Sequence, residues 1–230
     1  EVRDMLTNAE NNSGDILRIT QLSASKPAGA SDERYLVTGI VRNTSPSRPM
    51  CALEASSFEG RADGILVASQ TEPVLVLGQP RFVTDLDATI LCLEAGDEGP
   101  FSFLITDFDV DPDEVDDFDV RFNALGGEFT TEDTKSRVEL DGPLTLFESE
   151  RGRTSLRGSF INRGTVRACT VTMKATLIDE SGNVVDTRSP TRNDFFEVAP
   201  GETVDFETDP FPGVGMTPDD VRTWIVWEDI

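Results

Sequence analysis

The stretch Leu36-Val-Thr-Gly39-Ile-Val-Arg-Asn43 recurs later in the chain as Ser155-Leu-Arg-Gly158-Ser-Phe-Ile-Asn162. The two stretches share a Gly-x-x-x-Asn pattern at an offset of 119 residues. Three further landmarks recur in the same order, namely Cys51 and Cys169, Gly64 and Gly182, and Gly96 and Gly201. Because several landmarks keep one order, the sequence predicts two tandem copies of a single domain.

Between the landmarks, each copy consists of short runs in which apolar and polar residues alternate. Leu17 and Ile19 belong to such a run in the first copy, and Val138 and Leu140 belong to one in the second. Gly, Pro, Asn and Asp separate the runs. Short alternating runs with turn residues between them are typical of antiparallel sandwiches. We therefore predict an all-β fold of two tandem antiparallel β-sandwiches.

The first copy is longer than the second in one place. From Gly64 to Gly96 it has 13 residues more than the second copy has from Gly182 to Gly201. We assign the surplus to an insertion at about 69–89, whose two apolar arms are predicted to form an added hairpin or a long apolar loop. The predicted sandwiches are residues 15–126 and 136–230, joined by a linker at 127–135.

Residues 1–14 are predicted to form an N-terminal stem or short helix. Val2, Met5, Leu6 and Ala9 have the spacing of one helical face. The sequence begins with Glu1 and not with Met, and we expect that a signal peptide or a membrane anchor precedes it. Such a preceding segment would fit an extracytoplasmic protein.

The charge balance excludes several classes of function. The 230 residues include 43 acidic and 20 basic side chains, for a net charge of −23, and no histidine. A charge of this sign repels phosphate backbones and anionic lipids, so we expect no nucleic-acid binding. No apolar run approaches the roughly 20 residues that span a bilayer, so we expect no membrane insertion of this segment.

The basic residues are nearly all arginine, since lysine occurs only at Lys26, Lys135 and Lys174. An acidic, lysine-poor surface is typical of proteins from salt-loving organisms, in which carboxylates keep the protein hydrated. A GC-rich genome that favours arginine codons, together with secretion, explains the same composition. Both interpretations make the charge a property of solubility and not of fold.

The sequence has no histidine, a residue on which many catalytic sites depend. Without histidine there is no Ser-His-Asp triad and no histidine-containing zinc site. A pair of carboxylates would suffice for glycoside hydrolysis, but aromatic residues, which form sugar platforms, make up only 7% of the chain. We expect the protein not to be an enzyme and to have no cofactor.

The densest acidic run lies near the end of the first copy and is a candidate calcium site. It places carboxylates at alternate positions, the arrangement that calcium loops use to supply oxygen ligands. The run does not fit the twelve-residue helix–loop–helix template, because Pro112 stands where that template has glycine. The alternative is a solvated acidic loop, which we favour. The calcium candidates are Asp107, Asp109, Asp111 and Asp113.

Cysteine positions suggest one disulfide. Cys51 and Cys169 occupy matching positions, whereas Cys92 has no counterpart in the second copy. We favour a Cys51–Cys92 bond that closes a loop across the insertion, which would form in an oxidising compartment. The alternative is three reduced, buried thiols.

The second copy resembles a known family. Leu156-Arg-Gly-Ser-Phe-Ile-Asn162, the turn Asp179-Glu-Ser-Gly182 and the segment Val198-Ala-Pro-Gly-Glu202 follow the pattern of the FxLYD-type domain, a small immunoglobulin-like sandwich of bacterial and archaeal envelope proteins. Ala175-Thr-Leu-Ile-Asp179 stands where the family has Phe-x-Leu-Tyr-Asp. The first copy keeps five positions of the pattern, namely Gly39, Asn43, Phe58, Gly64 and Gly96. The resemblance implies an immunoglobulin-like fold and a non-catalytic role in the envelope.

We therefore expect a non-catalytic extracytoplasmic or cell-surface module that binds a protein partner or has a structural role. The insertion is the candidate contact surface, because an apolar segment that is not repeated is where a duplicated module would diversify. Its candidate binding residues are Val74, Val76, Phe82 and Val83. The alternative for these arms is that they complete the first sandwich. The alternative function is a calcium-stabilised adhesin or carbohydrate-binding module.

Overall fold

The alternating runs of the sequence form strands in both copies. The computed structural model describes residues 2–4, 16–25, 35–106, 114–124, 131–148, 154–178, 184–188, 196–208 and 220–229, and their fold is all-β. No helix within these ranges is long and apolar enough to cross a bilayer. The strands are β1 (Val2–Asp4), β2 (Leu17–Ser25), β3 (Tyr35–Asn43), β4 (Met50–Cys51), β5 (Glu54–Ala62), β6 (Ile65–Gln70), β7 (Val74–Leu75), β8 (Gln79–Val83), β9 (Ala88–Leu93), β10 (Glu98–Ile105), β11 (Asp117–Asn123), β12 (Thr131–Asp133), β13 (Val138–Leu140), β14 (Thr145–Glu148), β15 (Thr154–Asn162), β16 (Ala168–Ile178), β17 (Val184–Arg188), β18 (Phe196–Val198), β19 (Thr203–Glu207) and β20 (Asp220–Asp229).

Two antiparallel sheets enclose the core of the first copy. One sheet has the strand order β1-β2-β3-β10, and the other has β11-β5-β6 with β7 added beside β5. Leu22 and Phe103 from the first sheet pack with Phe58 and Val120 from the second in one buried cluster. A third sheet, with the order β12-β8-β9-β4, carries most of the inserted chain.

The second copy repeats this arrangement. β15 lies between β19 and the pair β13 and β14, as β3 lies between β10 and β2. In the opposite sheet β16 lies between β20 and β17, as β5 lies between β11 and β6. Leu156, Phe160 and Met173 form the centre of a second buried cluster. The shared strand order agrees with the sequence repeat and gives two tandem β-sandwiches.

The glycine of the repeated motif makes room for an aromatic ring. Gly39 lies opposite Phe101 in the sheet, and a Cβ atom at Gly39 would come within 2.3 Å of the Phe101 Cζ atom. Gly158 lies opposite Phe206 in the same way, and a Cβ atom there would come within 2.9 Å of the Phe206 Cζ atom. Both copies therefore need a glycine here because a phenylalanine ring crosses the strand.

The asparagine of the motif fastens the chain that follows it. The buried Asn43 Nδ2 donates to the carbonyl oxygens of Arg48 at 2.7 Å and Leu93 at 2.9 Å. The equivalent Asn162 Nδ2 donates to the carbonyls of Val166 at 2.8 Å and Val198 at 2.9 Å. Each side-chain oxygen accepts a backbone N–H two residues further on. The Gly-x-x-x-Asn motif is thus a packing and hydrogen-bonding device of the fold.

The prediction of a helix at the N-terminus is wrong for Val2–Asp4. These residues form β1, which pairs antiparallel with residues 23–25 of β2. An isolated helix shorter than about 12 residues is marginal in water, whereas an open sheet edge satisfies the backbone of a short strand directly. Met5, Leu6 and Ala9 lie outside the described residues.

Two details of the insertion and linker also differ from the prediction. The apolar arms do not pair with each other, because β7 joins β5 and β8 forms a hairpin with β9. Within the predicted linker, Thr131–Asp133 form β12, which pairs with Arg81–Val83 of β8. Both segments pair with the edge of a neighbouring strand. This pairing satisfies backbone N–H and C=O groups that would be hydrogen-bonded to water in a free loop.

Candidate functional site

The candidate binding residues of the insertion are mostly part of the protein interior. Val76 and Val83 are buried, and Val74 packs against the first core. Phe82 is half-buried on β8, between its neighbours on β9 and β12. This placement favours the alternative in which the arms complete the first sandwich, and it leaves little of these side chains for a partner.

A disulfide joins Cys51 and Cys92, the pair that the sequence favours, with 2.02 Å between the Sγ atoms. Both cysteines are buried, and they face each other across β4 and β9. Gly78 of the insertion lies so close that its Cβ would be 2.3 Å from the Cys92 carbonyl oxygen. Cys169 is a free, half-buried thiol. The disulfide therefore ties β9, against which Gly78 of the insertion packs, to β4.

The four calcium candidates Asp107, Asp109, Asp111 and Asp113 lie outside the described residues. In the part of the run that the structure describes, carboxylates bind groups of the protein itself. Asp116 Oδ2 accepts the Asp63 backbone N–H at 3.0 Å.

The strand that follows the acidic run pairs its carboxylates with arginine. Asp119 Oδ2 lies 3.1 Å from Arg121 Nε. The hydrogen bond and charge of Asp119, together with the charge of Glu59, raise the pKa of Arg121 above its ordinary value. Across the described ranges, no group of three or more Cys, Asp or Glu side chains is placed to hold a metal ion.

The junction between the two copies is a polar and apolar contact surface that the sequence did not predict. Ile40 is 0% exposed, although it lies on the face of β3 that points away from the first core, and it packs against Trp224 of the second copy. Thr38 and Ser23 on the same face are also buried. β17 of the second copy lies against β2 and β3. The second sandwich thus covers part of the outer face of the first, at β2 and β3.

Hydrogen bonds fix the orientation of this junction. Trp224 Nε1 donates to the Glu98 carbonyl oxygen at 3.1 Å. Arg222 Nη1 lies 3.3 Å from Glu98 Oε2, with both side chains partly exposed. A partly buried indole that also donates its N–H contributes apolar area and direction together. The partly exposed ion pair contributes about 1 kcal/mol or less.

A second link joins the insertion to the chain between the copies. Arg81 on β8 donates from Nε to Glu94 Oε1 at 2.7 Å and from Nη1 to Asp133 on β12. The same strands are paired through their backbones. The insertion and the inter-copy segment are therefore held together by an arginine that bridges two carboxylates.

One sequence signal could have revealed the junction. At the positions of Thr38 and Ile40, the second copy has Arg157 and Ser159. Arg157 is exposed and Ser159 half-buried, as expected for the outer face of a sheet in water. The apolar residue at position 40 in only one copy indicates that only that copy has its outer face covered.

Comparisons with known proteins add little to this description. No protein-family model matches the chain, and no curated protein matches it. A search of solved structures matches the exo-chitosanase CsxA of Amycolatopsis orientalis, at 14% sequence identity and a TM-score of 0.30. The match covers 92% of this chain and 25% of that one, so this chain spans about a quarter of the chitosanase.

Proposed function

We propose that this chain is a non-catalytic module, extracytoplasmic or at the cell surface, that binds a protein partner or holds parts of a larger assembly apart. The observation that carries the proposal is the junction at Ile40, Trp224 and Glu98. Two sandwiches that share a buried contact form a stiff unit, and stiffness is what a spacer or docking module needs. A pair of domains joined by a free linker would not keep its binding surfaces in register.

The disulfide supports the location. Cys51–Cys92 closes a loop with a sequence separation of 41 residues in the first sandwich. Structural disulfides form and persist mainly in oxidising compartments. The resemblance of the second copy to FxLYD-type envelope domains supports the same location.

Several buried polar residues have structural roles. The buried side chains of Asn43, Asn162 and Thr208 form hydrogen bonds that fasten strands and turns. Ser45 accepts the backbone N–H of Arg48 at 3.0 Å. In these residues the polar chemistry of the interior serves the fold.

Cell fractionation with thiol trapping tests the proposal. Cells that produce the protein are treated with a membrane-permeant alkylating reagent before lysis, and each fraction is examined by mass spectrometry. We expect the protein outside the cytoplasmic fraction, with Cys51 and Cys92 in one linked peptide. A second alkylation with the same reagent follows under denaturing conditions, and Cys169 is the internal control because a free thiol is then alkylated. A cytoplasmic protein with all three cysteines alkylated would contradict the proposal.

A further inference from the structure

The two copies differ at one sheet edge. In the first copy, β2 pairs with β3 on one side and with β1 on the other. In the second copy, β14 occupies the place of the second half of β2 and pairs with β15. Among the described residues, no strand lies on the other side of β14. Within the described ranges, the second sandwich therefore has an open edge where the first has a covering strand.

The positions match residue by residue. Ala24 pairs with Val37, and Leu146 pairs with Leu156, the residue that corresponds to Val37 in the repeat. On the other side of β2, Arg3 of β1 pairs with Ala24. A strand added beside β14 in the place that β1 has beside β2 would consequently run antiparallel past Leu146.

Side-chain exposure differs between the two equivalent edges. Leu156 is in the second core, and residues directly opposite each other in a sheet share a face, so Leu146 lies on the core-facing side. Leu146 is nevertheless 45% exposed, whereas its counterpart Ala24 is 2% exposed. Phe147 is 38% exposed on the other face, with the Arg157 guanidinium 3.7 Å from its ring centroid.

The backbone of β14 is also oriented for pairing. Leu156 donates its N–H to Thr208 Oγ1 at 2.9 Å and accepts the Thr208 N–H at 2.9 Å, so its backbone groups point to the β19 side. The Leu146–Leu156 pair is then a non-hydrogen-bonded pair of the antiparallel ladder. The N–H and C=O of Leu146 consequently point away from β15, toward the open edge.

We propose that an extended, basic segment of another protein adds to this edge as an antiparallel strand, with an apolar side chain beside Leu146. The inference rests on the proposed function and names its docking site. Among the described residues, β1 covers the edge of the first copy, and no strand covers the equivalent edge of the second. A net charge of −23 repels a second copy of this chain and attracts a basic segment. Backbone pairing would supply affinity, and the apolar contact with the exposed Leu146 side chain would supply specificity.

The test uses two labelled peptides and the full chain. One peptide alternates valine with lysine and threonine, and the other has glutamate in place of lysine. Fluorescence anisotropy measures binding, and amide hydrogen exchange measures protection of residues 144–148. We expect the basic peptide to bind at least tenfold more tightly than the acidic one and to slow exchange at Leu146.

Two variants locate the site. Leu146→Pro removes the outward N–H and keeps the β14–β15 hydrogen bonds, because proline is tolerated on an edge strand. Leu146→Lys keeps the backbone and places a charge on the core-facing side, so it tests the site even if the proline variant unfolds. We expect each to weaken peptide binding at least tenfold. The control Leu104→Lys changes an equally exposed leucine of the first copy and leaves binding unchanged.

Three results would overturn the inference: peptide binding without protection of residues 144–148, equal binding by the Leu146 variants, or equal binding of the acidic peptide. Protection of residues 144–148 in the chain alone, with dimerisation as concentration rises, would assign the edge to a second copy and also overturn it. The location experiment is independent of these outcomes. A cytoplasmic, reduced protein that binds the basic peptide at β14 would refute the proposed function and leave the docking site standing.

Discussion

Asn43 and Asn162 are the residues that best explain why the sequence repeat is visible. Each is fully buried and uses both ends of its amide to fasten the loop between two strands. Only asparagine and glutamine offer two donors and an acceptor in one plane, and asparagine has the shorter side chain. The motif could therefore be found from the sequence, because its chemistry fixes the residue type. The partners of each amide are backbone carbonyls, which have no signature in the sequence.

Replacement of Asn162 by alanine tests this role. The change leaves the carbonyls of Val166 and Val198 without their donor, so we expect a loss of about 2–4 kcal/mol in the free energy of unfolding. Urea denaturation followed by circular dichroism measures it. Asn123→Ala, at an exposed position at the end of β11, is the matched control and should cost about 0.5 kcal/mol or less. A loss at Asn162 no larger than that at Asn123 would refute the assignment.

Gly39 makes a second prediction at this scale. Alanine at this position would place its Cβ against the Phe101 ring, which packs edge-on to Phe103 and Phe122. We expect Gly39→Ala to lower the unfolding free energy by about 1–3 kcal/mol through overpacking. In a double-mutant cycle with Phe101→Leu, the smaller side chain should recover part of that loss, because the two positions are coupled. Strictly additive effects would contradict the steric explanation.

At the scale of elements, the position of the insertion could be predicted from the sequence pattern, but its strand pairing could not. Its length and place follow from the spacing of repeated glycines, which the sequence contains. Its pairing does not follow, because both arms are apolar and the choice among β5, β9 and β12 depends on which edges are open in three dimensions. The strand β1 was missed for the same reason, since a helical spacing over few residues cannot compete with an available sheet edge.

The Cys51–Cys92 disulfide of the third sheet is expected to stabilise the protein. Closing a loop across 41 residues of sequence restricts the unfolded chain, so we expect the oxidised protein to be more stable than the reduced one by about 2–4 kcal/mol. Guanidinium denaturation with and without a phosphine reductant measures the difference. In the Cys51→Ala/Cys92→Ala variant the reductant should have no effect, and in Cys169→Ala it should act as in the parent. Equal midpoints for the oxidised and reduced parent would contradict the prediction.

At the scale of the whole molecule, the junction makes one unit of two copies. Its apolar part is the contact of Ile40 with Trp224, and its polar part is the bond from Trp224 Nε1 to the Glu98 carbonyl. The tandem sandwiches could be predicted because each copy has its own alternating pattern. Their contact could not be predicted from either pattern alone, since it appears only as the difference between Ile40 and Ser159 at equivalent positions.

A double-mutant cycle tests the energetic part of this contact. Trp224→Ala and Ile40→Ala should each lower the unfolding free energy, and their effects should be coupled by about 0.5–3 kcal/mol because the side chains touch. Trp224→Ala paired with the exposed Leu104→Ala serves as the control, for which additivity is expected. Additive effects of Trp224 and Ile40 would mean that the two copies do not stabilise each other there.

Nitrogen-15 relaxation of the full chain tests the central claim, that the junction makes the two sandwiches one stiff unit. The ratios of transverse to longitudinal relaxation are measured for strand amides of the first core, such as those of β3 and β5, and of the second, such as those of β15 and β16. A single rotational correlation time for both sets, which separates into two shorter times in Trp224→Ala, is the predicted result. Two different and shorter correlation times in the unmodified chain would contradict the account.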